Sequence, residues 1–200
     1  MSAMRFFIFL VMVSFGLFSS QKVQAQKPNH KRHIIKFDLA PIFVGEFMPY
    51  YEYVFKKKIS AEIGLGFVTD NYLMNFVQES NSAQTRIQKM GPAFSLAARY
   101  YPYIVGDLIY CTAALKYRRY REAYQQFSTS GELEENIEYN QRIIPRLGLG
   151  YHRFFDQHFL IDISVNIGLG FEKEFKQMMA KPTSNYFLHF GIGCKLAYAF

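Results

Sequence analysis

LIDISVNIGLGFEKEF, residues 160–175, changes character at every step. Ile161, Ile163, Val165, Ile167, Leu169 and Phe171 make one wholly apolar set, while Asp162, Ser164, Asn166, Gly168, Gly170 and Glu172 make a second that is polar or tiny. Successive side chains of a strand point to opposite faces, so a period of two predicts a β-strand whose faces meet different surroundings.

The same division recurs along the chain. Ile143, Pro145, Leu147, Leu149 and Tyr151 oppose Arg142, Ile144, Arg146, Gly148, Gly150 and His152; Ile63, Leu65 and Phe67 oppose Glu62, Gly64 and Gly66; Ile35, Phe37, Leu39 and Phe43 oppose Lys36 and Asp38. Eight such segments are expected, at about 34–44, 46–55, 59–68, 89–101, 107–121, 139–154, 159–173 and 185–200. Short connections at 56–58, 102–107 and 155–158 alternate with long polar ones between strands three and four, five and six, and seven and eight; the connection near Gly45 is tight.

Alternation alone also fits a soluble antiparallel sheet, with one face on a core and one in water. The composition of the polar face separates the two cases. Gly64 and Gly66, Gly148 and Gly150, Gly168 and Gly170, and Gly191 and Gly193 recur there beside charges of both signs. Glycine weakens a strand, so paired glycines imply crowding on that face. A closed eight-stranded barrel is just wide enough for its interior to be filled by side chains. The expected fold is therefore an all-β, closed, antiparallel, up-and-down transmembrane barrel over residues 34–200. Its lumen should hold Lys36, Asp38, Glu52, Glu62, Arg99, Lys116, Arg118, Arg142, Arg146, Asp162, Glu172 and Lys195, with the two signs pairing across it. The apolar set then faces lipid, where closure leaves no unpaired edge. Two aromatic girdles are expected: Tyr100, Tyr101, Tyr103, Phe154, Phe155, Phe159 and Tyr198 toward the short turns, and Tyr117, Tyr120, Tyr139, Phe175 and Tyr186 toward the long connections.

The N-terminus agrees with export. Arg5 is a positive n-region, Phe6 to Phe18 an apolar h-region, and Val23-Gln24-Ala25 a small-residue cleavage site, so residues 1–25 read as a signal peptide and 26–33 as a basic arm. The apolar stretch is shorter than the roughly 20 residues of a spanning helix. The absence of a cysteine just after Ala25 argues against a lipoprotein. Removing Arg5 and Lys22 takes the net charge from +7 to +5. For an exported chain that excess suits anionic lipid headgroups better than nucleic acid. Cys111 and Cys194 are too few for a disulfide scaffold and read as small apolar residues.

The signal peptide, the strand and loop pattern, Tyr51-Glu52, the repeated GLGF and GLGY motifs and the terminal Phe200 together resemble the small eight-stranded outer-membrane barrels of the OmpA/OmpX type, in the porin-like "outer membrane protein beta-barrel" group. The resemblance covers the whole mature chain. It implies a monomer in contact with outer-membrane lipid and lipopolysaccharide, and it makes Phe200 the signal read by the barrel assembly machinery. In the final GIGCKLAYAF, Ile192, Cys194, Leu196, Tyr198 and Phe200 should face lipid, and the last strand should pair with the first.

Chemistry is sparse. The Gly-x-Gly pairs lack the third glycine and the following helix of a dinucleotide fingerprint. His30, His33, His152, His158 and His189 do not make a convergent zinc set. A lipid hydrolase would need His189 as base with Ser184 as nucleophile and Glu172 or Glu174 as acid, but the histidine-serine motif associated with lipid A deacylases is missing, Gly191 following His189 by two. Glu132, Glu134, Glu135 and Glu138 suggest a solvated acidic loop without calcium-loop spacing, and Arg118, Arg119 and Arg121 a positive rim for lipopolysaccharide phosphates. No cofactor, metal or catalytic residue is expected. The leading function is a barrel with a filled lumen and a structural or surface-interaction role rather than a diffusion pore; the competitors are a membrane-embedded lipid hydrolase and a soluble periplasmic lipocalin-like carrier.

Overall fold

The stretch around Asp162 forms β9 (Phe159–Lys176), hydrogen-bonded on one side to β8 (Leu133–Phe154) and on the other to β10 (Thr183–Ala199). A computed structural model of the chain describes residues 31–69, 85–102, 109–127, 133–176 and 182–200. The 1–25 leader, residues 26–30 of the arm, Tyr103 and Glu132 lie outside the described residues, as do the side chains of Glu134 and Glu135.

The remaining strands are β1 (His33–Asp38), β2 (Glu46–Phe47), β3 (Pro49–Lys56), β4 (Ile59–Val68), β5 (Thr85–Lys89), β6 (Gly91–Tyr100) and β7 (Ile109–Phe127). Every pairing is antiparallel. β1 pairs β3, β3 pairs β4, β4 pairs β6, β6 pairs β7 and β7 pairs β8. β10 then returns to β1, from Ile34 opposite Ala199 to Asp38 opposite Lys195. Short β2 and β5 lengthen the staves of β3 and β6 by pairing with β4 and β7. The result is a ring of eight staves, and the closure removes the free edges that an open sheet presents. Phe200 completes the seam: its N–H donates to the His33 carbonyl at 2.9 Å and its ring stacks on His33 with centroids 5.5 Å apart.

The two faces sort as alternation requires. On β9 Asp162 is fully buried, whereas Val165 is 57 % exposed, beside Leu149 and Ile192 on its neighbours. Cys111 and Cys194 are both free thiols, on β7 and β10 with two strands between them. Strands lie about 4.8 Å apart, which puts the pair well beyond disulfide reach.

Three expectations need correction. The first strand does not run to residue 44: it ends at Asp38, and Ala40–Val44 form a 3-10 turn. Asp38 Oδ1 accepts the Ala40 N–H at 3.3 Å, Pro41 supplies no donor for a ladder, and Gly45 takes the left-handed φ of 73° that closes the turn. Next, the connection between the fifth and sixth staves is not a long loop. β7 and β8 remain paired out to Phe127 opposite Leu133, leaving only 128–132 between them. Between Glu122 and Glu138 the sequence carries no continuous apolar face, so these strand ends lack the alternation that marks them lower down. Finally, three of the girdle aromatics belong to the lumen side. Tyr101 is fully buried with its hydroxyl on Glu52, Tyr120 is 3 % exposed beside Glu172, and Phe154 stacks on buried His152.

Candidate functional site in the barrel lumen

Eight inward side chains, one from each stave, form or brace a single charged layer. β1 contributes Lys36, β3 Glu52, β4 Glu62, β6 Arg99, β7 Tyr110, β8 His152, β9 Asp162 and β10 Lys195. None is more than 6 % exposed. Lys36 Nζ lies 2.5 Å from both Glu52 Oε2 and Asp162 Oδ2, and 3.5 Å from Glu62 Oε2. The Arg99 guanidinium bridges Glu62 at 2.5 Å and Asp162 at 2.6 Å, and Lys195 Nζ lies 2.6 Å from Glu62 Oε1.

Three cations thus meet three carboxylates. That balance matters because a buried ion is costly unless it is paired and hydrogen-bonded. The neutral side chains supply further bonds: Ser60 and Tyr101 donate to Glu52, and Tyr110 donates to Asp162. Arg99 also lies 4.5 Å from the Tyr110 ring centroid and Lys195 3.8 Å from that of Tyr50. Register explains why the cations sit between carboxylates. Glu52 and Glu62 are cross-strand partners, a like-charge pair that would repel without Lys36 and Arg99 between them.

Toward the short turns, Ile34, Val54, Leu160, Ala197 and Ala199 form an apolar cluster with Phe154 against it. Toward the long connections, the lumen widens into a cavity of about 550 Å³. There Lys116 pairs with Glu46, Arg118 Nε lies 3.4 Å from Glu46, and Arg142 Nε lies 2.5 Å from Glu172. Arg146 donates to Ser95 Oγ at 3.3 Å. Asp38 is held by backbone, accepting the N–H groups of Ala40 and Cys194.

The structure therefore gathers six of the sequence-derived lumen charges, Lys36, Glu52, Glu62, Arg99, Asp162 and Lys195, into one layer. It sets Lys116, Arg118, Arg142, Arg146 and Glu172 above that layer, with Asp38 bound to main chain. His152 lies on the polar face expected for it, whereas Glu46, Tyr101 and Tyr110 also face the interior and were absent from the expected inward set. Parity could have found them: Glu46 shares the inward face of Glu52, Tyr110 that of Lys116, and Tyr101 that of Arg99. A hydrolytic pair does not form. His189 faces the lumen, whereas Ser184 is exposed on the other face of β10. Five residues of strand separate them, about 16 Å at the usual rise.

Glycines make the packing possible. A Cβ on Gly150 would overlap the Tyr110 ring, and one on Gly168 would strike the Pro145 carbonyl oxygen. Gly150→Val should displace Tyr110 from Asp162 and lower stability by about 1–3 kcal/mol, read as a lower urea midpoint in detergent. A midpoint equal to that of the parent would mean that the ring yields freely.

No family model matches the chain, and no curated protein matches it. Among solved structures, the chain is similar to the N-terminal β-barrel domain of Pseudomonas aeruginosa OprF, at 11% identity over 85% of this chain and 98% of that one with a TM-score of 0.42. It is also similar to a major outer membrane protein of Thermus thermophilus, at 12% identity over the same shares with a TM-score of 0.48.

Proposed function

We propose that the chain is an outer-membrane barrel with a structural or surface-interaction role, its lumen closed to diffusion. The charged layer carries this reading, since a side chain from every stave meets at one level and all eight are buried. An exterior of Val165, Leu149, Ile192 and Leu147, each more than half exposed, supports the membrane. Soluble monomers rarely leave contiguous apolar patches of more than a few hundred Å² open to water. Backbone saturation in a closed ring is the requirement that lipid imposes on strands.

The rest of the proposal follows from these premises. Residues 1–25 direct export and are removed, the mature chain is monomeric, and lipopolysaccharide surrounds its outer half. Phe200, at the seam, is the residue read by the assembly machinery.

Fractionation, an unboiled gel and a planar bilayer together provide the test. The mature chain should remain with the outer membrane, migrate differently before and after boiling, and give no stepwise ion current. Recovery from the soluble periplasm without detergent would instead support a carrier, and resolved conductance steps would overturn the closed lumen.

A further inference from the structure

The charged layer is balanced, but the cavity above it is not. Its lining includes Arg99, Lys116, Arg118, Arg142, Arg146 and Lys195, against Asp38, Glu46 and Glu62, with Arg142 already paired to Glu172. Arg99 and Lys195 belong to the neutral layer that forms the floor. Higher up, Lys116 and Arg118 share the single carboxylate of Glu46. Arg146 faces no carboxylate among the described ion pairs: Nη2 reaches Ser95, and Nε is buried without a hydrogen-bond partner. Ser164, Asn166 and His189 stand on the same wall.

We propose that this cavity binds a small soluble phosphomonoester. A phosphate dianion offers the acceptors that a guanidinium with an unused donor lacks, and an arginine fork fits its oxygens. Lys116 and Arg118 supply the remaining positive field, and Thr112 and Ser164, which line the cavity, offer hydroxyl donors. The volume exceeds that of a bare phosphate and falls within the usual range for small-molecule sites, roughly 300–1,000 Å³. The organic part of the ligand would lie against the Tyr50 and Tyr120 rings, which also line the space. A lipid phosphate is the wrong source, because the hydrogen-bonded wall separates the lumen from the leaflet. With the charged layer as floor, the ligand arrives from the end bearing the long connections.

The test titrates the mature chain, refolded in detergent and confirmed by its unboiled gel mobility, with a hexose monophosphate, the unphosphorylated hexose and inorganic phosphate. Calorimetry should show saturable binding of the two phosphates and none of the neutral sugar. Arg146→Gln, which breaks no carboxylate pair, should weaken binding at least about tenfold, equivalent to about 1.4 kcal/mol, with unchanged gel mobility. If Arg146→Gln does not fold, Arg118→Gln takes its place with the same expectation, Lys116 still neutralising Glu46. Absence of saturable binding by the parent chain, equal binding of the neutral sugar, or parental affinity in the folded variant would each overturn the site. Because gel mobility reports the barrel and calorimetry the cavity, either can fail alone.

Discussion

Asp162→Asn is expected to be the most damaging single lumen substitution, costing about 3–5 kcal/mol, the range for breaking a buried charge pair by removing one partner. Asp162 accepts from Lys36 and Arg99, at 2.5 and 2.6 Å, and from Tyr110. The amide keeps shape and one acceptor oxygen but removes charge, leaving Lys36, Arg99 and Lys195 against Glu52 and Glu62 alone. The buried excess cation has no water to turn to, since Lys36 is 1 % exposed and Arg99 3 %. Urea titration of the refolded protein, scored by the unboiled gel band, should show a clearly lower midpoint.

The companion variant tests the cause. Lys36→Met with Asp162→Leu removes one charge of each sign, and replacing a buried pair by apolar groups is often close to neutral. The double variant should therefore be more stable than Asp162→Asn, with a large coupling energy in the cycle of matched single variants. If the single losses simply add, Lys36 and Asp162 do not act as partners, and the layer is a packing device rather than an electrostatic one.

This layer shows how far the sequence can be read. That Lys36, Glu52, Glu62, Arg99, Asp162 and Lys195 share one side of the wall follows from parity, which is a property of each strand alone. That they share one height does not, because height depends on stagger between strands, and stagger is set by turns such as the Asp38–Gly45 bend, where a strand was expected. The same limit explains Tyr101 and Tyr120. Aromatics near strand ends fit an interfacial girdle, and only attention to their parity with Arg99 and Lys116 turns them inward. Residues 122–127 and 133–138 were obscured for another reason: beyond the apolar belt the backbone ladder continues while the hydrophobic pattern that reveals strands disappears.

Val165→Arg should cost about 2–4 kcal/mol, the penalty for a cation on the lipid face near the middle of a barrel. Val165 lies between Leu149 and Ile192 on adjacent staves, and the three are 57, 58 and 72 % exposed. The same geometry in a water-soluble barrel would give the opposite expectation, because an arginine on an open surface changes stability by no more than about 0.5 kcal/mol. Phe155→Arg provides the depth control. Phe155 is 58 % exposed but lies at the short turn after β8, where a cation reaches the interface and should cost only about 0–1 kcal/mol. Both variants should be refolded into lipid vesicles and unfolded in urea alongside the parent chain. A penalty at Val165 that greatly exceeds the one at Phe155 measures the depth of a lipid belt; equal, small effects at the two positions would mean that water, not lipid, covers Val165, and the soluble-carrier reading would replace the membrane barrel.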